Sequence, residues 1–296
     1  MQIVDVILIT IIGIIEGVTE WLPVSSTGHM MIFEHFFSDA FTEGFFTSDF
    51  KDMFEYLIQL GAIIAVICVF WKRVFPFSLE KREKTLKNGE TVLKTAVISN
   101  PSVWKTWLKV LVACIPAVTA LVVDKLFDKL GATEKIIVVG SMLVLYGVAF
   151  IVIEYVNKNK KPRVETVDEM SLLNAFLIGC FQVLAAVPGT SRSGVTIIGG
   201  LILGLSRTAA AEFTFFLAIP TMVGASGYKI LKFVLNGGKI TTPQISALIL
   251  GMVIAFVVSL AVIKFLMDFV KKHDFRLFGW YRIALGALVI ILCLAV

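Results

Sequence analysis

Charge is what this chain has least of. Only 17% of its 296 residues are Asp, Glu, Lys or Arg, against 57% hydrophobic, and the mean hydropathy is +0.89. That balance excludes an ordinary soluble domain and indicates a polytopic helical membrane protein. The net charge of +5 comes from basic residues grouped in short stretches beside apolar runs, so nucleic acid is not an expected partner. Cysteine is scarce as well. Cys68, Cys114, Cys180 and Cys293 lie inside apolar segments without CxxC spacing, which implies neither a disulfide framework nor a metal cluster and leaves them as small packing residues. A basic n-region is missing, and Glu16 and Glu20 interrupt the place where a cleavage site would follow. Residues 1–22 therefore do not read as a cleavable signal peptide.

What the chain has instead is apolar length. Segments fall at about 3–22, 24–37, 54–71, 107–123, 136–156, 172–187, 195–205, 208–231, 243–267 and 279–296. The segments at 24–37 and 195–205 are shorter than the ~20 residues a spanning helix needs. Lys72, Arg73, Lys81, Arg82, Lys84, Lys87, Lys94 and Lys105 place the connection 72–106 in the cytoplasm, and Lys158–Arg163 and Lys271–Arg276 mark two further cytoplasmic loops. Residues 38–52 carry Asp39, Glu43, Asp49 and Asp52 against Lys51 alone and read as external. Lys229, Lys232 and Lys239 run against this pattern. Threading these constraints predicts an all-α integral membrane protein with six complete spans. Two re-entrant helical hairpins, 3–37 from outside and 172–205 from the cytoplasm, complete it. Opposed hairpins are what an inverted-topology repeat produces. A shift of 166 residues superimposes Gly13 on Gly179, Glu16 on Gln182, Ser25 on Ser191 and Gly28 on Gly194. One transmembrane domain, 1–296, with halves at about 1–156 and 165–296 is expected.

The chain is organised around Pro188-Gly-Thr-Ser-Arg-Ser-Gly-Val-Thr196. Apolar runs on both sides put Arg192 at membrane depth, where a charge costs at least ~2.5 kcal/mol and persists only beside an anion or a watery cavity. A Pro-Gly break between a helix and a half-helix fits the short right-hand run. Ser191 or Ser193 can cap the half-helix, whose first N–H groups and dipole favour an anion. The Arg192 fork suits phosphate oxygens, and Ser191, Ser193 and Thr196 add hydroxyls.

The other polar stretch in an apolar context runs from Gly13 to His29. Glu16 and Glu20, four apart, share a helix face. Two such carboxylates share a proton or a divalent cation, and oxygen donors suit Mg2+ or Ca2+ with a phosphate completing the shell. Beyond Pro23, Ser25, Ser26 and Thr27 can cap a second half-helix. His29 lies one turn past Ser26, a spacing that lets imidazole and hydroxyl cooperate as base and nucleophile. Face to face, the hairpins hold the inventory for phosphoryl transfer. A transporter or lipid flippase is the alternative, since broken helices in inverted repeats also serve alternating access.

These two stretches closely resemble the motifs of the bacterial undecaprenyl-diphosphate phosphatases, also called bacitracin-resistance proteins. The similarity covers essentially the whole chain, including Phe54–Ala62 and Ala211–Pro220. The resemblance implies an inner-membrane hydrolase that converts undecaprenyl diphosphate to the monophosphate and recycles the carrier for wall polymers. It also implies a divalent-cation requirement and resistance to bacitracin, which competes for the lipid; a homodimer is a further expectation. By position, Glu16 and Glu20 match the first acidic motif, Ser26 and His29 its serine and histidine, and Ser191, Arg192 and Thr196 the second motif. Ser25, Thr27, Gly189 and Ser193 are expected to line the substrate. Serine and histidine both remain candidates for the nucleophile. The working expectation has Ser26 attacking, His29 as base, and Arg192 gripping the diphosphate in a cavity open to the external side.

Overall fold

The computed structural model describes residues 2–37, 46, 48–85, 91–120, 127 and 129–294. In chain order these form α1 (Ile3–Thr19), α2 (Ser26–Phe36), α3 (Ser48–Val69), a single helical turn at Trp71–Val74, β1 (Phe77–Thr85), β2 (Thr91–Ser99) and α4 (Pro101–Cys114), which a 3-10 turn at Pro116–Thr119 continues. Next come α5 (Ala132–Asn157), α6 (Leu172–Val183) with a 3-10 turn at Leu184–Ala186, α7 (Arg192–Ile202), α8 (Arg207–Leu235), α9 (Thr242–Lys272) and α10 (Arg276–Leu294). The apolar segments read from the sequence thus all carry helices. The expected external loop residues Asp39 and Glu43, and Lys87 of the basic connection, lie outside the described residues.

One expectation needs correction. The basic connection is not a plain loop. It carries an antiparallel hairpin in continuous register from Phe77 opposite Ser99 to Thr85 opposite Thr91. Thr91, Val92, Thr95, Val97 and Ile98 are β-branched and favour a strand, a preference the basic residues hide in a hydropathy reading.

The molecule is built inside out relative to a soluble protein. Among the described residues, five helices are long and apolar enough to cross a membrane: Phe50–Val69, Pro101–Thr119, Ala132–Asn157, Arg207–Leu235 and Thr242–Lys272. Ile249, Val253 and Val257 on α9 are 59%, 53% and 56% exposed, while Glu16, Gln182, Ser193, Thr196 and Arg282 are buried. An apolar outer belt that large is a surface for lipid. Cys68 and Cys180 are exposed with it, so they are not the packing residues expected.

Inside the belt, small residues let the helices approach closely, as helices in a bilayer require. The buried stripe of α9, Ala247, Gly251, Ala255 and Ser259, receives α1, and the Ser259 hydroxyl donates to the Gly17 carbonyl at 3.3 Å. A Cβ on Gly13 would meet the Gly251 carbonyl at 3.1 Å, and one on Gly179 would overlap the backbone of Ala113. Hence α1 lies on α9 as α6 lies on α4. Likewise α2 packs on α10 and α7 on α5, while α3 meets α8 and α5 meets α10. Exchanging α1–α5 for α6–α10 leaves this set of neighbours unchanged. At the centre sits α7, buried from Ser193 to Leu201 beside the wholly buried run Ala209–Ile219 of α8. This 11-residue helix is thus enclosed by protein.

Candidate active site

Both hairpins turn through the same backbone device. Ser25 and Ser191, each the residue before the second helix, have φ of 75° and 66° and are the only non-glycine residues with positive φ among those described. Such a conformation costs about 1–3 kcal/mol and persists where the surroundings impose it. Here the imposing group is Arg282 of α10. Fully buried at 0% exposure, it donates through Nη1 to the Pro23 carbonyl at 3.2 Å, and through Nη2 to the carbonyls of Gly189 at 3.0 Å and Thr190 at 2.8 Å. One guanidinium therefore ties the two turns together. The Tyr146 ring lies 5.8 Å from it. The 166-residue shift makes Pro23 and Gly189 equivalents, so Arg282 holds matched carbonyls of the two hairpins.

The caps then diverge. Ser191 Oγ accepts the Gly194 N–H at 3.2 Å and closes part of the α7 terminus. Ser25 makes no side-chain cap bond, which leaves the first N–H groups of α2 free of a capping side chain and able to face an anion.

Arg192 joins the hairpins chemically. Its Nη2 donates to Glu20 Oε1, and its Nη1 donates to the Thr221 hydroxyl of α8 at 3.3 Å. Glu16 lies one turn before Glu20 and is 3% exposed, and its Oε1 has no hydrogen-bond partner among the described residues. Arg192 and Glu20 are thus brought into contact.

His29 is placed differently from expectation. Its Nδ1 lies 2.7 Å from the Ser25 carbonyl, which can only accept, so Nδ1 carries the hydrogen and Nε2 holds the lone pair of the neutral ring. That Nε2 faces the Tyr281 hydroxyl at 2.7 Å, and the two rings stack with centroids 5.6 Å apart. The His29 side chain reaches back four residues to the Ser25 carbonyl and makes no hydrogen bond to Ser26. Ser26 is half-buried, with no hydrogen bond to a described residue, and Thr27 is exposed beside it.

Three expected substrate groups turn out to be occupied within the protein. Thr196 donates to the Arg192 carbonyl at 2.9 Å and bonds Thr214 at 2.8 Å, fastening α7 to α8. Ser193 is buried and sits 3.2 Å from the Ser191 hydroxyl. Gly189 gives its carbonyl to Arg282, and with φ of 86° a Cβ there would lie 2.6 Å from the Val139 carbonyl. Sequence reasoning missed Arg282, Tyr281, Thr214 and Thr221. A charge inside the segment 279–296 was the available signal for the first, under the same rule that singled out Arg192.

The acid pair suits a hard divalent cation: both groups offer oxygen alone, and the Glu16 Oε1 is buried and unpaired. Among the described residues no cluster of three acidic, His or Cys side chains stands ready for a metal, so further oxygens would come from a bound phosphate.

A family model described as bacitracin resistance protein BacA matches residues 9–288. The chain belongs to this family. It is similar to the undecaprenyl-diphosphatase of Enterococcus faecalis, 46% identical over 99% of this chain and 98% of that protein. It matches that of Desulfitobacterium hafniense at 46% over 98% and 97%, and undecaprenyl-diphosphatase 1 of Oenococcus oeni at 47% over 95% and 94%. The family match covers every residue of the site built above. Arg192 and Glu20 are in contact, and Arg282 holds the turn that precedes Ser26 and His29 against the turn that precedes Arg192.

Proposed function

We propose that this protein is a membrane enzyme that hydrolyses undecaprenyl diphosphate to undecaprenyl phosphate and inorganic phosphate, returning the carrier to peptidoglycan and other wall synthesis. The observation that carries the reading is the Arg192–Glu20 contact, which brings the anion-binding arginine of one hairpin to the acid pair of the other. The family and the names of its relatives support the substrate.

Arg192 exchanges its Glu20 partner for the diphosphate, gripping it as a planar fork, and the open terminus of α2 turns its N–H groups toward the reacting phosphate. Ser26 Oγ attacks the terminal phosphorus, and its proton passes to Nε2 of His29 once the Tyr281 hydroxyl has moved aside. The bond to the bridging oxygen breaks, undecaprenyl phosphate leaves, and the imidazolium returns the proton to it. Water then attacks the phosphoserine, giving a proton to His29 that Ser26 Oγ recovers as phosphate departs. Held by Glu16 and Glu20, Mg2+ or Ca2+ would neutralise the charge that gathers on the phosphate oxygens.

The proposed setting is the bacterial inner membrane, with α10 as the sixth complete span and the two hairpins re-entering from opposite faces. The paired positive-φ serines and the exchangeable helix neighbours support an inverted repeat with halves at about 1–156 and 165–296. The cavity opens outward, where the spent carrier is released, and turnover there confers bacitracin resistance by withdrawing the lipid the drug binds. A homodimer is compatible with the exposed apolar belt. Lipid flipping without cleavage is the second reading, favoured by the broken helices.

Incubating detergent-purified protein with undecaprenyl diphosphate tests this. Phosphate release is expected, abolished by a chelator and reduced at least a hundredfold in Arg192→Ala. Release that neither treatment touches would remove the site assignment. Binding without release would move the function to flipping. A Ser26→Ala variant that turns over at the normal rate would transfer the nucleophile's role to His29.

A further inference from the structure

A polar cavity of about 480 Å3 opens at the far end of α7 from Arg192, among the ends of α5, α7, α8 and α9. Ten residues of helix separate the two places, about 15 Å at 1.5 Å per residue. The cavity is therefore distinct from the catalytic junction. Its wall carries Lys158, Lys160, Lys161, Arg163, Arg207 and Lys271 against a single acid, Glu154. That acid is already neutralised: Arg207 grips both its oxygens, at 2.9 Å and 2.6 Å, and the Phe275 N–H takes Oε1 at 3.0 Å. Lys271 pairs with Asp268 at 3.0 Å. Lys158, Lys160, Lys161 and Arg163 have no ion-pair partner among the described residues.

The cavity is built, since its walls are fastened to one another. Arg163 N–H donates to the Gly204 carbonyl at 2.8 Å, and Ser206 N–H donates to the Val164 carbonyl at 2.8 Å. The Ser206 hydroxyl donates to the Glu165 carbonyl at 2.8 Å, and Asn157 caps the end of α7 by donating to the Leu201 carbonyl at 3.1 Å. The Arg163 stem rests against Gly204, where an added Cβ would stand 3.4 Å away. The long helix α8 begins at this cavity, so the N–H groups of Arg207 and Thr208 face it without intrahelical partners, next to the Thr208 hydroxyl that lines it. At the rim the charge gives way to apolar surface, with Ile202 at 52% exposure.

We propose that this cavity binds a phosphate-bearing anion, and that the occupant is the headgroup of an anionic membrane phospholipid. The exposed cations Lys158, Lys160, Lys161 and Arg163, a hydroxyl and free helix N–H groups recognise the phosphate. The apolar rim, at the end of a helix that lies within the bilayer, accepts the glycerol and first acyl carbons. Basic pockets between membrane helices hold lipid headgroups on the side that the basic loops occupy. Nothing in this site depends on the catalytic reading.

Native mass spectrometry tests it on full-length protein in micelles containing equal phosphatidylglycerol and phosphatidylcholine, with inorganic phosphate alone as a separate arm. The protein is expected to retain phosphatidylglycerol at least tenfold over phosphatidylcholine. A Lys160→Gln/Lys161→Gln/Arg163→Gln variant should lose that preference while its thermal unfolding in plain detergent stays unchanged. Thr208→Val keeps every charge and should weaken retention severalfold, which a diffuse surface field would not produce. It decides the matter should the triple variant fail to fold. Inorganic phosphate bound without lipid preference, and lost in the triple variant, would keep the site but assign it to soluble phosphate. Equal retention of lipid and of phosphate by all these proteins would overturn the proposal.

Discussion

The two hairpins share a backbone and divide the chemistry. Each enters its second helix through a serine of positive φ, and each second helix has 11 residues. Each also sets a glycine against the α5–α10 pair. Gly28 faces Leu143, whereas Gly194 faces Arg282. Where the first hairpin has Glu16, Ser26 and His29, the second has Gln182, Arg192 and Val195 at the equivalent positions. The first carries two carboxyls, a hydroxyl and an imidazole. The second carries the cation Arg192, and Arg282 of α10, outside both hairpins, fixes both turns. A similar turn in both hairpins thus accompanies different side chains, and opposite charges meet where Arg192 contacts Glu20.

Making the two hairpins more alike should break this arrangement, most severely at Arg282. Arg282→Leu gives α10 the residue that α5 presents to Gly28 and strands the carbonyls of Pro23, Gly189 and Thr190. Each buried unpaired acceptor costs ~1–3 kcal/mol, so thermal unfolding should fall by more than ten degrees and phosphate release should disappear. An unchanged unfolding temperature would contradict the role given to Arg282. Glu16→Gln matches the first hairpin to Gln182. Removing a buried carboxyl with little change of shape should leave stability intact yet lower phosphate release about a hundredfold, and what remains should ignore a chelator. Persistent chelator sensitivity would take Glu16 out of the cation site. The smallest effect sharpens the comparison at the caps. Ser191→Ala should destabilise by about 1 kcal/mol because Ser191 caps α7, while Ser25→Ala, which removes no cap bond, should scarcely alter the unfolding temperature.

Much of this was legible from hydropathy and punctuation. The apolar runs located the helices, because only continuous apolar length can satisfy a bilayer. The Pro-Gly break and the stranded charge located Arg192, and the four-residue spacing of Glu16 and Glu20 located the acid pair. What was not legible depended on partners far away in the chain. Arg282 looked like one basic residue near the start of a terminal span until its carbonyl partners, more than ninety residues away, came beside it. The His29 spacing pointed to Ser26, three residues back, but the Ser25 carbonyl at i−4 lies directly below the ring and claims Nδ1. Tyr281, which claims Nε2, belongs to α10, and no spacing rule connects 252 residues. The β-hairpin was hidden because its basic residues carried the topological signal.

The most direct test of a shared site is a double-mutant cycle in kcat/KM for phosphate release, using Glu20→Ala, Arg192→Ala and the double variant. If the two side chains act at one junction, the double variant should be no slower than the slower single one, the non-additivity of residues working as a unit. Losses that multiply, as for two groups acting independently, would contradict the claim that the hairpins build a single active site.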